Sequence, residues 1–207
     1  MAAVPDAPDP DAGAAEGRRT LSRRPVRADA ARNYDKLVVA AAELFHTDGV
    51  EVALDKVAAE AGVGIGTLYR HFPNRAALVE ATFRNYSDQI ITDGWRALES
   101  GPADAALTGV FEAYMATAST KRGMKEAILA AVGDEAPVFG EAREQSRDLM
   151  TAILAAGQRD GVFRDDIEPA DLSRLVGGLS MTCVAQDTEE TRRRMVGLVL
   201  DGLRPRT

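Results

Sequence analysis

The sequence AGVGIGTLYRHFPNR occupies residues 61–75 of a 207-residue chain. Gly62 breaks one helical pattern and Pro73 with Asn74 breaks the next. Between them, residues 64–72 form a helix of about two turns. Leu68 and Phe72 stand at i and i+4, so they share the inward face. Ile65, Gly66, Thr67, Tyr69, Arg70 and His71 take the outward face and the ends. Just upstream, Leu54, Val57, Ala58 and Ala61 line one side of a short helix over residues 54–61. Two short helices meeting at a tight glycine-containing turn are the helix-turn-helix layout, and Ala58 and Ala61 are small enough to let the pair approach closely. Before them, Tyr34, Leu37, Val38, Ala41, Leu44 and Phe45 fall at the 3/4 spacing of a first amphipathic helix, which Gly49 ends in the left-handed conformation.

The outward residues suit a nucleic-acid surface. Gly66 lets backbone approach a groove or phosphate. Thr67 offers a methyl to thymine and a hydroxyl to a base or phosphate. Tyr69 and His71 can donate to phosphate oxygens, and Arg70 reaches phosphate or a guanine edge. Arg75 sits in the first turn of a fourth helix, whose free amides also favour a phosphate. Plainer roles compete: Tyr69 packing part of its ring, His71 capping a helix end, His46 meeting the first helix's C-terminal dipole, Cys183 filling core.

Downstream the chain reads as helix after helix. Asn74 caps a fourth to about residue 98, striped by Leu78, Val79, Phe83, Tyr86, Ile90 and Trp95. Gly101 and Pro102 punctuate. Ala103 through Ala118 keep the 3/4 pattern, and Met124, Ala127, Ile128 and Ala131 make a shorter helix. Another runs from Val138 to near Gly161, one starts at Pro169, and a last is capped by Thr188. About nine helices and no convincing strand give an all-α chain, in keeping with few aromatics at 5%.

The 25 basic and 32 acidic residues leave a net charge of −7, which on average argues against a phosphate-rich partner. The distribution says otherwise. Residues 17–85 carry eleven basic and eight acidic side chains, whereas residues 86–207 carry fourteen and twenty. Residues 1–27 have a composition that forms no core and end in a basic run, Arg18, Arg19, Arg23, Arg24 and Arg27, fit for an arm on DNA phosphates or in a minor groove. One cysteine and two histidines exclude a disulfide and a multi-ligand metal centre. No nucleophile–base pair or carboxylate pair suggests an enzyme, and no cofactor is expected. No apolar run nears the ~20 residues of a membrane span and no signal peptide opens the chain, so a soluble, cytoplasmic protein is expected.

Ala42, Phe45 and Gly49, then Val57-Ala58, Ala61-Gly62-Val63, Gly66-Thr67-Leu68-Tyr69 and His71-Phe72, make residues 34–83 resemble the TetR (TetR/AcrR) family of one-component transcriptional regulators. The resemblance implies an all-α fold: a helix-turn-helix DNA-binding domain over residues 28–76, after the arm of residues 1–27, and a helical ligand-binding and dimerisation bundle over residues 77–207. It assigns Ile65, Gly66, Thr67, Tyr69, Arg70 and His71 to DNA, with Arg75 on phosphate; Lys36 is a further DNA-binding candidate. It implies a homodimer on a palindromic double-stranded operator, two recognition helices about 34–36 Å apart. Leu172, Leu175, Val176, Leu179, Met195, Leu198 and Val199 are the candidate dimer residues. Trp95, Phe111, Tyr114, Met115, Met150, Phe163 and Met181 are the bulky candidates for lining an apolar effector pocket. The implied function is a repressor released by a small apolar or amphipathic ligand. The competing readings are a ligand-independent regulator and a helical interaction protein with a degenerate helix-turn-helix.

Departures from the family pattern sit at the turn. Val52-Ala53 stand where Ser or Thr commonly caps the second helix, a loss of about 1 kcal/mol. Gly64 stands where Ser commonly opens the third, and Ile65 where a polar residue is common, pointing to contact with a thymine methyl.

Overall fold

The computed structural model describes residues 24–25, 28–133, 136–182 and 188–205, the Met181 side chain excepted. Among the described residues there are nine helices and no strand. Arg18, Arg19, Arg23, Arg27 and Cys183 lie outside the described residues.

Helix α1 (Ala28–Thr47) carries Asp29 in its first turn, where the helix dipole favours an anion. It stops at Gly49, whose φ of +84° only glycine adopts cheaply. Helix α2 (Leu54–Glu60) starts from Ala53 with no side-chain cap, as the missing Ser or Thr implies, so the Ala53 carbonyl alone accepts from the Lys56 and Val57 amides. Gly62, at φ +65°, turns the chain into α3 (Ile65–His71), one residue shorter at each end than the sequence pattern suggested.

Helix α4 (Arg75–Ser100) begins where the Asn74 side chain accepts from the Ala77 amide at 2.9 Å. It is the spine, about 39 Å long. Its first half closes a core with α1, α2 and α3, joined by Met124 and Ile128 of α6 (Ala118–Val132) and by Val138 and Phe139 of α7 (Pro137–Arg159). Its second half enters another core with α5 (Ala103–Ala116), the rest of α7, α8 (Pro169–Thr182) and α9 (Glu189–Leu203). The apolar pattern reveals α6 only from Met124; the helix begins six residues earlier through a polar turn, 119–123, that has no stripe to read. Thr188 caps α9 by accepting from the Thr191 amide. No described helix is long and apolar enough to cross a membrane.

Candidate nucleic-acid interface and groove

Helix α3 is held from beneath. Leu68 and Phe72 are fully buried. The buried Tyr34 ring of α1 packs on Phe72 at 4.9 Å between centroids and edge-on to His71 at 6.2 Å. The outer face is open. Ile65 is 37% and Tyr69 51% exposed, Gly66 and Arg70 are exposed, and Thr67 is half-buried. A side chain at Gly66 would meet nothing within 4 Å. An exposed isoleucine and tyrosine on a two-turn helix are a liability unless something covers them, and the flat, open face leaves room for a groove wall. His71 is partly buried, and desolvation, followed by the Arg70 charge, holds its pKa below the ordinary value. At neutral pH it therefore presents a neutral N–H donor.

Arg75 departs from its assignment. Its Nη1 donates to the Val50 and Val52 carbonyls, each at 2.7 Å, and its Nε lies 3.9 Å from Glu51. The guanidinium binds the α1–α2 loop rather than standing free for a phosphate. The α1–α2 loop carries backbone carbonyls that need donors, and the guanidinium at the start of α4 supplies them. Arg24 is likewise engaged, forking onto Asp35 of α1 at 2.8 and 2.5 Å and lowering the Asp35 carboxyl pKa through that hydrogen bond. Lys36 is exposed on α1 in a shallow hollow shared with Arg32, Glu43 and Glu60.

In the body, a groove of about 1020 Å³ opens between α6, α7 and α8, with Phe83 of α4 and Tyr114 of α5 in its wall. Of the sequence-derived lining residues whose side chains are described, only Tyr114 belongs to it. Phe111, Met115, Met150 and Phe163 are buried in the second core, because the inward faces of α5 and α7 are consumed in packing against α4. Phe163 illustrates the tightness: a Cβ on Gly157 would sit 2.0 Å from its ring. Trp95 is exposed on α4, and the Met181 side chain lies outside the described residues.

The groove wall is more apolar than polar, and it is also strongly cationic. It includes Phe83, Leu129 and Phe139, but also Lys121, Lys125, Arg143, Arg147 and Arg174 against one acid among the described residues, Glu168. Lys121 donates to the Ser87 hydroxyl at 3.0 Å and lies over the Phe83 and Tyr114 rings at 4.9 and 5.0 Å. Desolvation lowers its pKa to about 8. The signal was in the sequence: Lys121 and Lys125, and Arg143 and Arg147, are i,i+4 pairs on helices whose opposite faces are apolar.

The candidate dimer residues divide. Leu172 and Val176 are buried in the protomer's own core, so they are not interface residues. Leu179, Met195 and Val199 pack partly against that core. Leu175 is 39% and Leu198 68% exposed.

Comparison with known proteins places these features. The sequence profile of "Bacterial regulatory proteins, tetR family" matches residues 37–82, and that of "Transcriptional regulator SbtR-like, C-terminal domain" matches residues 102–205. The chain is 25% identical over 182 residues to the HTH-type transcriptional repressor KstR2 of Rhodococcus jostii, covering 81% of this chain and 89% of that protein. The crystal structure of the TetR regulator SCO0520 from Streptomyces coelicolor superposes with a TM-score of 0.73 at 34% identity, over 84% of this chain and 99% of that one. A TetR regulatory protein from Mycobacterium vanbaalenii gives 0.70 at 31% identity, over 87% and 100%.

Proposed function

Given that the chain belongs to the TetR family of DNA-binding transcriptional regulators, we propose that it is a homodimeric repressor, released from a palindromic operator when a small molecule fills the groove between α6, α7 and α8. The observation that carries the DNA-reading part is the open outer face of α3 on an immobilised underside. Ile65, Gly66, Thr67, Tyr69 and Arg70 are presented as one surface, while Leu68, Phe72 and Tyr34 fix its angle. Ile65 and the Thr67 methyl suit thymine methyls in the major groove; Arg70 and the Tyr69 hydroxyl suit phosphates or a guanine edge. His71 adds a neutral donor, and Lys36 a flanking cation. Arg75 acts indirectly, by fixing the α1–α2 loop. Similarity to a named repressor favours repression over activation. Exposed Leu175 and Leu198 on the last two helices favour a dimer.

A physical link joins groove and reading head. Lys121 lines the groove, and the preceding Thr120 has its hydroxyl 3.0 Å from the His46 Nδ1 at the end of α1. Two residues after Lys121, a Cβ added at Gly123 would lie 3.8 Å from the Val50 side chain, so α6 passes close to that loop. An occupant that displaces α6 therefore bears on α1 and on the loop that positions α2. A coupling of about 1–3 kcal/mol is typical of such devices.

The test is selection of genomic fragments by the purified protein, followed by footprinting of the enriched site. Two-fold symmetric protection, its half-sites one helical turn apart, is expected. Absence of protection at every salt concentration overturns the reading.

A further inference from the structure

We propose that the groove takes an amphipathic carboxylate, its anionic head paired with the Lys121 ammonium and its apolar body laid against Phe83, Leu129 and Phe139. The ligand chemistry stands on the groove itself; its regulatory consequence rests on the repressor reading above.

Lys121 is the centre of the argument. An ammonium has three donors and no acceptor. Here one meets the Ser87 hydroxyl, which itself donates to the Phe83 carbonyl and so turns a lone pair to the lysine. The rest of its surroundings are the faces of Phe83 and Tyr114. Among the described residues no carboxylate lies within 4 Å of Lys121 Nζ. A partly desolvated cation supported only by a hydroxyl and two rings is incompletely compensated, and it lines a cavity rather than a closed core. Its pKa of about 8 leaves it charged at neutral pH.

The rest of the wall points the same way. Lys125, Arg143, Arg147 and Arg174 add positive charge, and among the described lining residues Glu168 is the one acid. Arg147 and Arg174 each have a carboxylate three residues back, Glu144 and Asp171, but both pairs are solvent-exposed and screened. A cation would be repelled here, and a neutral apolar molecule would bury Lys121 without pairing it. Ser146, hydrogen-bonded to the Tyr114 hydroxyl, provides a neutral polar group beside the head. The volume far exceeds that of a bare inorganic anion and suits a drug-sized body, and the aromatic and aliphatic wall gives that body something to bury against.

Isothermal titration of the full chain with decanoate, decanol and decylammonium separates head from tail. Decanoate should bind at least tenfold more tightly than decanol, with decylammonium weakest. Lys121→Gln should remove most of that preference while leaving decanol binding unchanged. Lys121→Arg, which keeps the cation, should retain it, and thermal melts of both variants verify folding. Equal affinity for decanoate and decanol, an unchanged preference in a folded Lys121→Gln, or no binding of any probe overturns the proposal. So does inorganic phosphate binding as tightly as decanoate, since the apolar body would then add nothing. Repeating the titration on the DNA complex isolates the regulatory claim: decanoate binding without DNA release supports the carboxylate site and overturns ligand-driven release. Failure to bind DNA at all would overturn the repressor reading and leave the calorimetric result standing.

Discussion

Arg75 offers two N–H groups of one nitrogen to two backbone carbonyls separated by a single residue, Val50 and Val52. Hydrogen bonds from a charged donor contribute more than neutral ones, and truncation leaves partly buried acceptors unmet. Arg75→Ala should therefore lower stability by about 1–3 kcal/mol, read as a fall in Tm. The slope of log affinity against log salt should stay unchanged, because no phosphate contact is lost. Arg70→Ala should do the reverse: Tm hardly moves, while the salt slope falls by about one. Equal slopes in both variants would contradict the division of labour. The inward residues Leu68 and Phe72 were legible because spacing alone puts them on one face. The destination of Arg75 was not, because a guanidinium on a long stem chooses among acceptors that sequence separation hides.

At the level of elements, α6 shows where periodicity stops informing. Its buried stripe of Met124 and Ile128 was readable, and i,i+4 spacing put Lys121 and Lys125 on one polar face, but its first turns and what that face looks onto were not, since a polar face carries no statement about what it faces. Phe111, Met115, Met150 and Phe163, expected in a pocket, were instead drawn into the second core. Bulk signals burial, and burial in a core is the commoner fate. Gly157→Ala tests that core: the added methyl collides with Phe163, and a loss of about 1–3 kcal/mol is expected from overpacking, measured by urea unfolding. A neutral result would mean that the Phe163 ring has room to move. Lys121 tests the groove. Its pKa of about 8 in the folded state lies below the ordinary lysine value of 10.5, so the unfolded chain binds more protons between those values and stability rises with pH across that window. Below pH 8 the full penalty is present. Lys121→Met should thus be more stable than the parent at pH 7, by about 1–2 kcal/mol after allowing for residual solvation. The advantage should shrink as pH rises from 8 towards 10.5. Urea unfolding at pH 7 and 10 measures it; a pH-independent difference would mean that Lys121 is not desolvated.

Across the whole molecule, residues 17–85 carry net positive charge and residues 86–207 net negative charge, so an acidic average conceals a DNA-compatible reading domain. One two-turn helix contacts too few base pairs for operator specificity, and a two-fold pair of heads is what makes the reading useful. In the proposed dimer, the pairing surface would come from apolar residues that the protomer leaves uncovered. Leu198, 68% exposed on α9, is the most exposed of its large hydrophobics among the described residues, and Leu175 on α8 is the next candidate on these last two helices. Leu198→Glu adds a charge at a position that the isolated protomer leaves in water, so helix content by circular dichroism should be unchanged. In a dimer it would bury two uncompensated carboxylates near the two-fold axis. The variant should run as a monomer in size-exclusion chromatography with light scattering, and its affinity for a palindromic site should fall at least tenfold because the heads bind as separate molecules. Leu172→Glu is the contrast: it charges a fully buried core position and should unfold the protomer outright. A Leu198→Glu protein that stays dimeric with an intact footprint would show that the heads are paired through another surface.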